Sequence, residues 1–464
     1  MTKVKPEIGL DISPELEKDS ISELNEWIRE NRVDEVECVT PDMAGVARGK
    51  VMPAAKYIKE PESRLPISLF MTTITGKYPE VEIDGYDVDA DVYLVPDLST
   101  ARAVPWASDP SIQIIHDAYD RHGEAISYAP RQVLKKVVNL YKKKGWKPIV
   151  SPEMEFYLTK PNTDPDYPLE PPIGRSGRQS LSNQAFSLSA VDEHERVIEH
   201  IYDYAEAQNL EIDTIIQESG AGQLEINLMH GDPVKLADEV FHYKRLIREA
   251  ALKCGIHATF MAKPMEHQPG SAMHVHQSVV STKSGKNVFS KRDGTPSDLF
   301  YYFIGGQQTY LHNACAFAAP YVNSYRRLVP NMSAPINLEW AHDNRSAGLR
   351  APRASPAARR VENRLIGADA NPYLAIAASL ATGYLGMTRK IRPRKEATGE
   401  FELRSDDLPF SLLGAVDSLK ESYDLKRVLG PEFVDIFAAI KQAEHDEFMQ
   451  VISPWEREHL LLNV

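Results

Sequence analysis

The chain has 464 residues, 42% of them hydrophobic and 26% charged, and carries a net charge of −13. That length exceeds one ordinary core and predicts two domains, while the acidic balance argues against nucleic acid or an anionic membrane as partner. Cys38, Cys254 and Cys315 show no CxxC spacing, which argues against a disulfide scaffold or a cysteine-bound zinc and suits a reducing cytoplasm.

The first twenty residues lack the apolar core of a signal peptide and are too acidic for a transit peptide. Residues 14–32 predict an amphipathic helix, with Leu16, Ile21, Leu24, Trp27 and Ile28 along one stripe. From 33 to about 107 short strand-like runs alternate with turn signals, the pattern of a small, mostly β domain. Residues 129–146 read as a helix ending at Gly145, and beyond it strands and helices interleave. The Pro-, Ser- and Gly-rich segment 159–190 predicts a long loop. The most apolar stretch, "PYLAIAASLATGYLGM" at 372–387, is too short and too interrupted to span a membrane and predicts a buried Ala-rich helix.

The chemistry lies in polar rows on strand-like segments. In "SPEMEFYL" (151–158), Glu153 and Glu155 share one strand face, roughly 6–7 Å apart, while Met154, Phe156 and Leu158 take the other. "QESGAGQLEINL" places Glu218 before a Gly-rich turn, then Gln223, Glu225 and Asn227 on one face. "MHVHQSV" sets His274, His276 and Ser278 against Met273, Val275 and Val279, and "RRVENRL" sets Arg360, Glu362 and Arg364 against Val361 and Leu365. Any one such face is more often a wet edge of an antiparallel sheet. Ordinary wet faces mix Thr, Lys, Ser and Gln, however, whereas these rows hold hard oxygen donors and imidazole with almost no Lys. Converging carboxylates need cationic compensation, which Mg²⁺ or Mn²⁺ supplies, and two such ions suit phosphoryl transfer.

Between 326 and 364 stand eight Arg, no Lys and three acids (Glu339, Asp343, Glu362). Arg in place of Lys suits bidentate recognition of phosphate and carboxylate; surface ion pairs are an equal reading for Arg326, Arg353 and Arg359. There is no Walker A motif, and "SGAGQ" lacks the third Gly of a dinucleotide fingerprint.

In order, "PEMEFYL", "ESGAGQLEIN", "GSAMHVHQS", "NSYRRLVP", "NRSAGLRAP" and "SPAARRVENRLIGADANPYLA" resemble the glutamine synthetase family, over a region from about residue 33 to the C-terminus. "PGSAMHVHQS" and the N-terminal helical extension look most like the γ-glutamylpolyamine synthetases. The resemblance implies an α+β fold: a helical extension at 1–32, a β-grasp N-terminal domain at 33–128, and a catalytic domain at 129–464 with a curved antiparallel sheet and flanking helices. It implies a cytoplasmic enzyme of stacked hexameric rings, a dodecamer, with active sites between neighbouring subunits. Its substrates are glutamate, ATP and an amine; ATP phosphorylates the glutamate γ-carboxylate, and the amine then displaces phosphate.

Carried over by position, Glu155, Glu218 and Glu225 hold one metal, and Glu153, His274 and Glu362 hold the second beside ATP. His276 and Ser278 match positions at the nucleotide and substrate, Arg345, Arg350 and Arg360 those at the ATP phosphates. Gly270, His274, Arg327 and Arg364 fall at the glutamate. The flap that reads "RLVPGYEAP" in ammonia-using members is "RLVPNMSAP" here, with Ser333 at the position of a Glu that helps bind and deprotonate ammonium. That change weakens an ammonium site and leaves room for a substituted amine, a polyamine above others. Asp42, in "TPDMAG", matches an acid reaching from the neighbouring subunit. Pro269-Gly270 replaces the usual Asn-Gly, Ala357 replaces a Lys near ATP, and Asp406 stands where some bacterial members carry an adenylylated Tyr. An ammonia-assimilating glutamine synthetase and a catalytically silent regulatory homologue are the alternative readings.

Overall fold

The computed structural model describes residues 21–81, 83, 86–330, 334–398 and 407–464. The helix expected at the N-terminus spans Ile21–Glu30; its expected first part, with Leu16, lies outside the described residues. Leu24 and Ile28 are buried, and Trp27 packs beside them.

Six strands follow: β1 (Glu35–Pro41), β2 (Ala47–Pro53), β3 (Ser63–Pro66), β4 (Asp91–Pro96), β5 (Arg102–Ala103) and β6 (Ser111–Tyr119). They form one sheet in the order β2-β1-β6-β4-β3, with β5 beside β6. β1 and β6 run parallel, and the other pairs are antiparallel. Strand alternation explains how it packs. Val36, Cys38, Ile112 and Ile114 face the N-terminal helix, whereas Val39, Val92, Leu94 and Ile115 face the large core shared with the rest of the chain.

The second sheet has eight strands: β7 (Trp146–Thr159), β8 (Ile212–Gln217), β9 (Gln223–Leu228), β10 (His257–Thr259), β11 (Met273–Ser281), β12 (Trp340–His342), β13 (Leu349–Ala351) and β14 (Val361–Asn363). Their order is β12-β13-β14-β11-β7-β9-β8, with β10 on the far part of β7. It is antiparallel except at one edge, where β12 and β13 run parallel. One face is apolar: Met154, Phe156, Leu224, Ile226, Met273, Val275 and Val361 are all fully buried. Helices Pro130–Lys143, Pro233–Lys253, Asp298–Ala318 and Pro372–Arg389 contribute side chains to the same core.

The Ala-rich stretch is the buried helix Pro372–Arg389, capped by Asn371, whose side chain accepts from the Tyr373 and Leu374 amides. It lies close against helix Asp298–Ala318 because both have glycine at the contact. A Cβ on Gly306 would come within 2.3 Å of Thr382 O and 2.6 Å of Gly386 N. Among the described residues, no helix is long and apolar enough to cross a membrane.

Candidate active site

The opposite face of the second sheet collects the polar rows. Register brings them together: Glu153 on β7 pairs with Asn227 on β9 and with His274 on β11, and Glu155 pairs with Glu225. One strand further, His276 pairs with Glu362 on β14, and Glu362 with Arg350 on β13. Directly opposed residues of an antiparallel pair share a face, so five strands contribute to one polar surface.

That surface floors a cleft of about 780 Å³. Glu153, Glu155, Glu218, Glu225 and His274 line it, as do Arg327, Arg345, Arg350 and Arg364. Glu362 is fully buried behind them. Its carboxylate accepts from Arg350 Nη1 at 2.7 Å and from Arg364 Nη1. His276 Nε2 lies 2.8 Å from Glu153 Oε1, and Arg360 Nε donates to His276 Nδ1 at 3.1 Å.

Among the described residues, two groups of donors each bring their ligand atoms within 4.8 Å of one another: Glu153, His274 and Glu362, and Glu155, Glu225 and His274. The first is the trio carried over for the second metal. The second differs from the sequence expectation, with His274 in the place of Glu218. Glu155 and Glu225 are a directly opposed pair on adjacent strands, while Glu218 follows the end of β8, so its carboxylate reaches the cleft from a turn.

The electrostatics separate these acids. Burial pushes Glu155 up to about 8, reinforced by the charge of Glu218. Burial pushes Glu225 up to about 9, reinforced by Glu155 and Glu153. Glu153 is also penalised by burial, but the nearby His274 imidazole, 3.7 Å away, and the hydrogen bond from His276 outweigh it and hold the carboxyl well below the usual range. Burial and the Arg364 charge push His274 down to about 4, leaving a neutral imidazole with a free lone pair. Opposed carboxylates with too little cationic charge, beside a neutral imidazole, fit a hard divalent ion such as Mg²⁺ or Mn²⁺.

Gly270 also lines the cleft. Its carbonyl accepts from Gln223 Nε2 at 3.1 Å, and that amide also holds Glu155 Oε2 at 3.2 Å. Arg327 is buried and donates to the carbonyls of Leu365 and Arg364, so part of its fork is engaged in fixing the cleft wall.

The structure does not bring every expected residue to the cleft. Ser278 lies further along β11 opposite Ile149, and neither it, His276 nor Arg360 lines the cavity. Asp42 sits apart in the β1–β2 turn, fully buried; its carboxylate accepts from the Ala44 and Val46 amides and from Arg48 Nε at 2.8 Å. Ser333 and Asp406 lie outside the described residues. Conversely, sequence reasoning missed Phe186, Ile216, Asn337 and Ser346 as cleft residues. The first stands in a loop and the second is an ordinary apolar strand residue, so neither carries a pattern that marks it.

Comparison with known proteins agrees with this geometry. The family model "Glutamine synthetase, catalytic domain" matches residues 127–460. The chain is 34% identical over 437 residues to gamma-glutamylputrescine synthetase PuuA of Escherichia coli (strain K12), covering 92% of each. It is 30% identical over 455 residues to glutamate–isopropylamine ligase of a Pseudomonas species, covering 95% of this chain and 97% of that protein. A solved structure described as apo GmaS without ligand superposes with a TM-score of 0.78 at 27% identity, covering 95% of this chain and 99% of the other. The chain therefore belongs to the glutamine synthetase family of ligases.

Proposed function

We propose that the protein joins the γ-carboxylate of glutamate to an alkyl amine at the expense of ATP, through a γ-glutamyl phosphate, and that polyamines are its preferred amines. The observation that carries this reading is the joining, in one cleft, of a carboxylate–imidazole floor with four arginines. The named relatives that act on putrescine and isopropylamine support the amine half.

Glu153, His274 and Glu362 would hold one divalent cation and Glu155 and Glu225, with His274 or Glu218, a second. Such ions, when bound, neutralise phosphate oxygens and draw charge from the transferring phosphoryl group. The chain's own groups do the rest. Arg345 and Arg350 orient the phosphates, Arg327 and Arg364 orient the glutamate carboxylates, and these cations stabilise charge that develops on the acyl phosphate. Gly270 lets the substrate approach the loop backbone.

Self-association into hexameric rings, twelve subunits in all, belongs to the same reading. It is supported by the apolar C-terminal residues left exposed in the single chain, among them Met449, Trp455, Leu461 and Leu462. A cytoplasmic setting is supported by three free thiols.

The test is a steady-state panel with glutamate, ATP and ammonium, ethanolamine, isopropylamine, putrescine, cadaverine and spermidine. The expected result is ADP release dependent on both glutamate and amine, with the highest kcat/KM among the polyamines. A higher kcat/KM for ammonium makes the chain an ammonia-assimilating enzyme, and no turnover with any amine makes it a silent homologue.

A further inference from the structure

At one edge of the cleft a bulky residue has a backbone conformation that disfavours it. Phe186 has φ +64°, in the left-handed region, and Asn183, three residues earlier, has φ +61°. Asn tolerates that region through its short polar side chain, whereas for a large aromatic it is an outlier. The segment is pinned there: the Asn183 amide donates to Ser219 O at 2.7 Å and the Phe186 amide to Gln217 O at 2.9 Å. Ser187 then caps the next helix, Leu188–Asp192, by accepting from the Ala190 amide.

Burial does not compensate this strain, for Phe186 is 70% exposed. Folding gains little from holding an apolar ring in water at the end of a strained backbone, and such outliers cluster where a ligand is clamped. Phe186 lines the cleft, as do Ala185 and Ile216. Its amide is bound to the residue after Ile216, and Ile216 is the cross-strand partner of Glu225. An aromatic face and an aliphatic side chain thus stand at the edge of a group of carboxylates. That is the chemistry that recognises a cationic head carrying an alkyl chain, through charge at one end and cation–π and apolar contact along the other.

We propose that Phe186, held by the Asn183–Ser187 segment against the end of β8, is a specificity-determining residue for the amine, contacting the alkyl part of an alkylammonium substrate and discriminating against ammonium. This rests on the glutamate–amine ligase reading. Ammonium carries no chain to meet the ring; each added methylene of a primary amine does.

The test is the amine panel applied to Phe186→Ala, Phe186→Tyr and Phe186→Gly, with the assembly state measured for each by light scattering. In F186A, kcat/KM for the longer amines falls about tenfold or more, the value for ammonium changes little, and the KM values for ATP and glutamate hold. F186Y retains the wild-type order. F186G, which relieves the backbone, melts at or above the wild-type temperature while losing chain-length discrimination. Equal loss for ammonium and alkyl amines, unchanged selectivity, a melting temperature several degrees lower in F186G, or dissociation of the assembly would each overturn the assignment. Wild-type enzyme that prefers ammonium overturns the underlying reading together with it, and that outcome is read from the wild type alone.

Discussion

Glu155 on β7 and Glu225 on β9 face each other as directly opposed residues, both buried, at the floor of the cleft. Like charges so placed destabilise a sheet, and burial raises the cost of ionising either. The pair is therefore a liability in the metal-free protein and an asset once a divalent ion binds. Glu225→Gln removes the ionisable group, and with it the metal-binding carboxylate, at nearly constant shape. In chelator it melts at or above the wild-type temperature; on adding Mg²⁺ or Mn²⁺ the wild type gains several degrees and the variant gains little. Turnover is abolished in Glu225→Gln, and equally in Glu153→Ala, with the assembly intact. Activity within a few-fold of wild type in either variant would show that the carboxylates hold no catalytic ion. Differential scanning fluorimetry with and without metal, alongside ADP release, makes the measurement.

A second charge cluster joins the two sheets rather than serving the cleft. Arg131, at the start of helix Pro130–Lys143, donates to Asp97 and Asp117 of the first sheet region and to Asp238 on helix Pro233–Lys253, at 2.8–3.0 Å. Tyr373 OH donates to the same Asp238 carboxylate at 2.7 Å. Removing the guanidinium leaves the buried Asp238 without its cation, while Asp117 keeps Lys135, a loss of about 3–5 kcal/mol. Arg131→Met is expected to lower the melting temperature clearly, and Asp238→Asn in the same chain to recover part of the loss by removing one orphaned charge. A melting temperature unchanged in Arg131→Met would show that the cluster contributes nothing net.

The rows of the site were legible because a strand alternates with period two. Glu153 and Glu155, His274 and His276, and Gln223 and Glu225 could each be assigned to one face before any register was known. Which rows lie side by side is decided by pairing between distant segments. That is why the alternation of 223–227 could not say that Glu225 meets Glu155, nor that His274 takes part in both donor sets while Glu218 stands off. The arginines show the same division. Their number between 326 and 364 announced an anion site, but only the fold separates Arg350 and Arg364, which hold Glu362, from Arg353, which pairs with Asp343 at the surface. Phe186 was illegible for another reason: an irregular loop has no period, and a left-handed Phe leaves no mark in the sequence.

Gly270 gives a prediction on substrate affinity. A Cβ at this position would lie 2.6 Å from Arg327 Cγ and 2.7 Å from Ala262 O. The second of these is backbone, so relief must come from moving the loop or Arg327. Arg327 is fixed by two carbonyls of the segment that carries Arg364, and its displacement disturbs both. Gly270→Ala is therefore expected to raise the KM for glutamate about tenfold or more while leaving the KM for ATP within a factor of about two, since small misplacements of a binding group carry large kinetic costs. Steady-state titration of each substrate decides it. A parallel rise in both KM values would instead place Gly270 in general support of the cleft.

The last prediction concerns acid. His116 on β6 is fully buried, its Nδ1–H donating to Ile114 O at 2.8 Å and its ring edge-on to Tyr57. Burial pushes this imidazole down to about 4, against 6.5 for the free side chain. Because the folded value is the lower one, the unfolded chain binds the extra proton first. The stabilising preference for neutral His116 is complete above pH 6.5 and is lost as pH falls from 6.5 toward 4, by up to about 3 kcal/mol. His274, at about 4, adds in the same direction. Glu155 and Glu225, raised to about 8 and about 9, work the other way and favour the fold as pH falls through the same window. The expected signature of His116 is therefore the difference between proteins, with His116→Gln, which cannot charge, gaining melting temperature relative to the wild type between pH 6.5 and 4.5. Parallel curves for the two proteins would show that His116 exchanges protons with solvent in the folded state as freely as in the unfolded one, and that the first sheet opens around it.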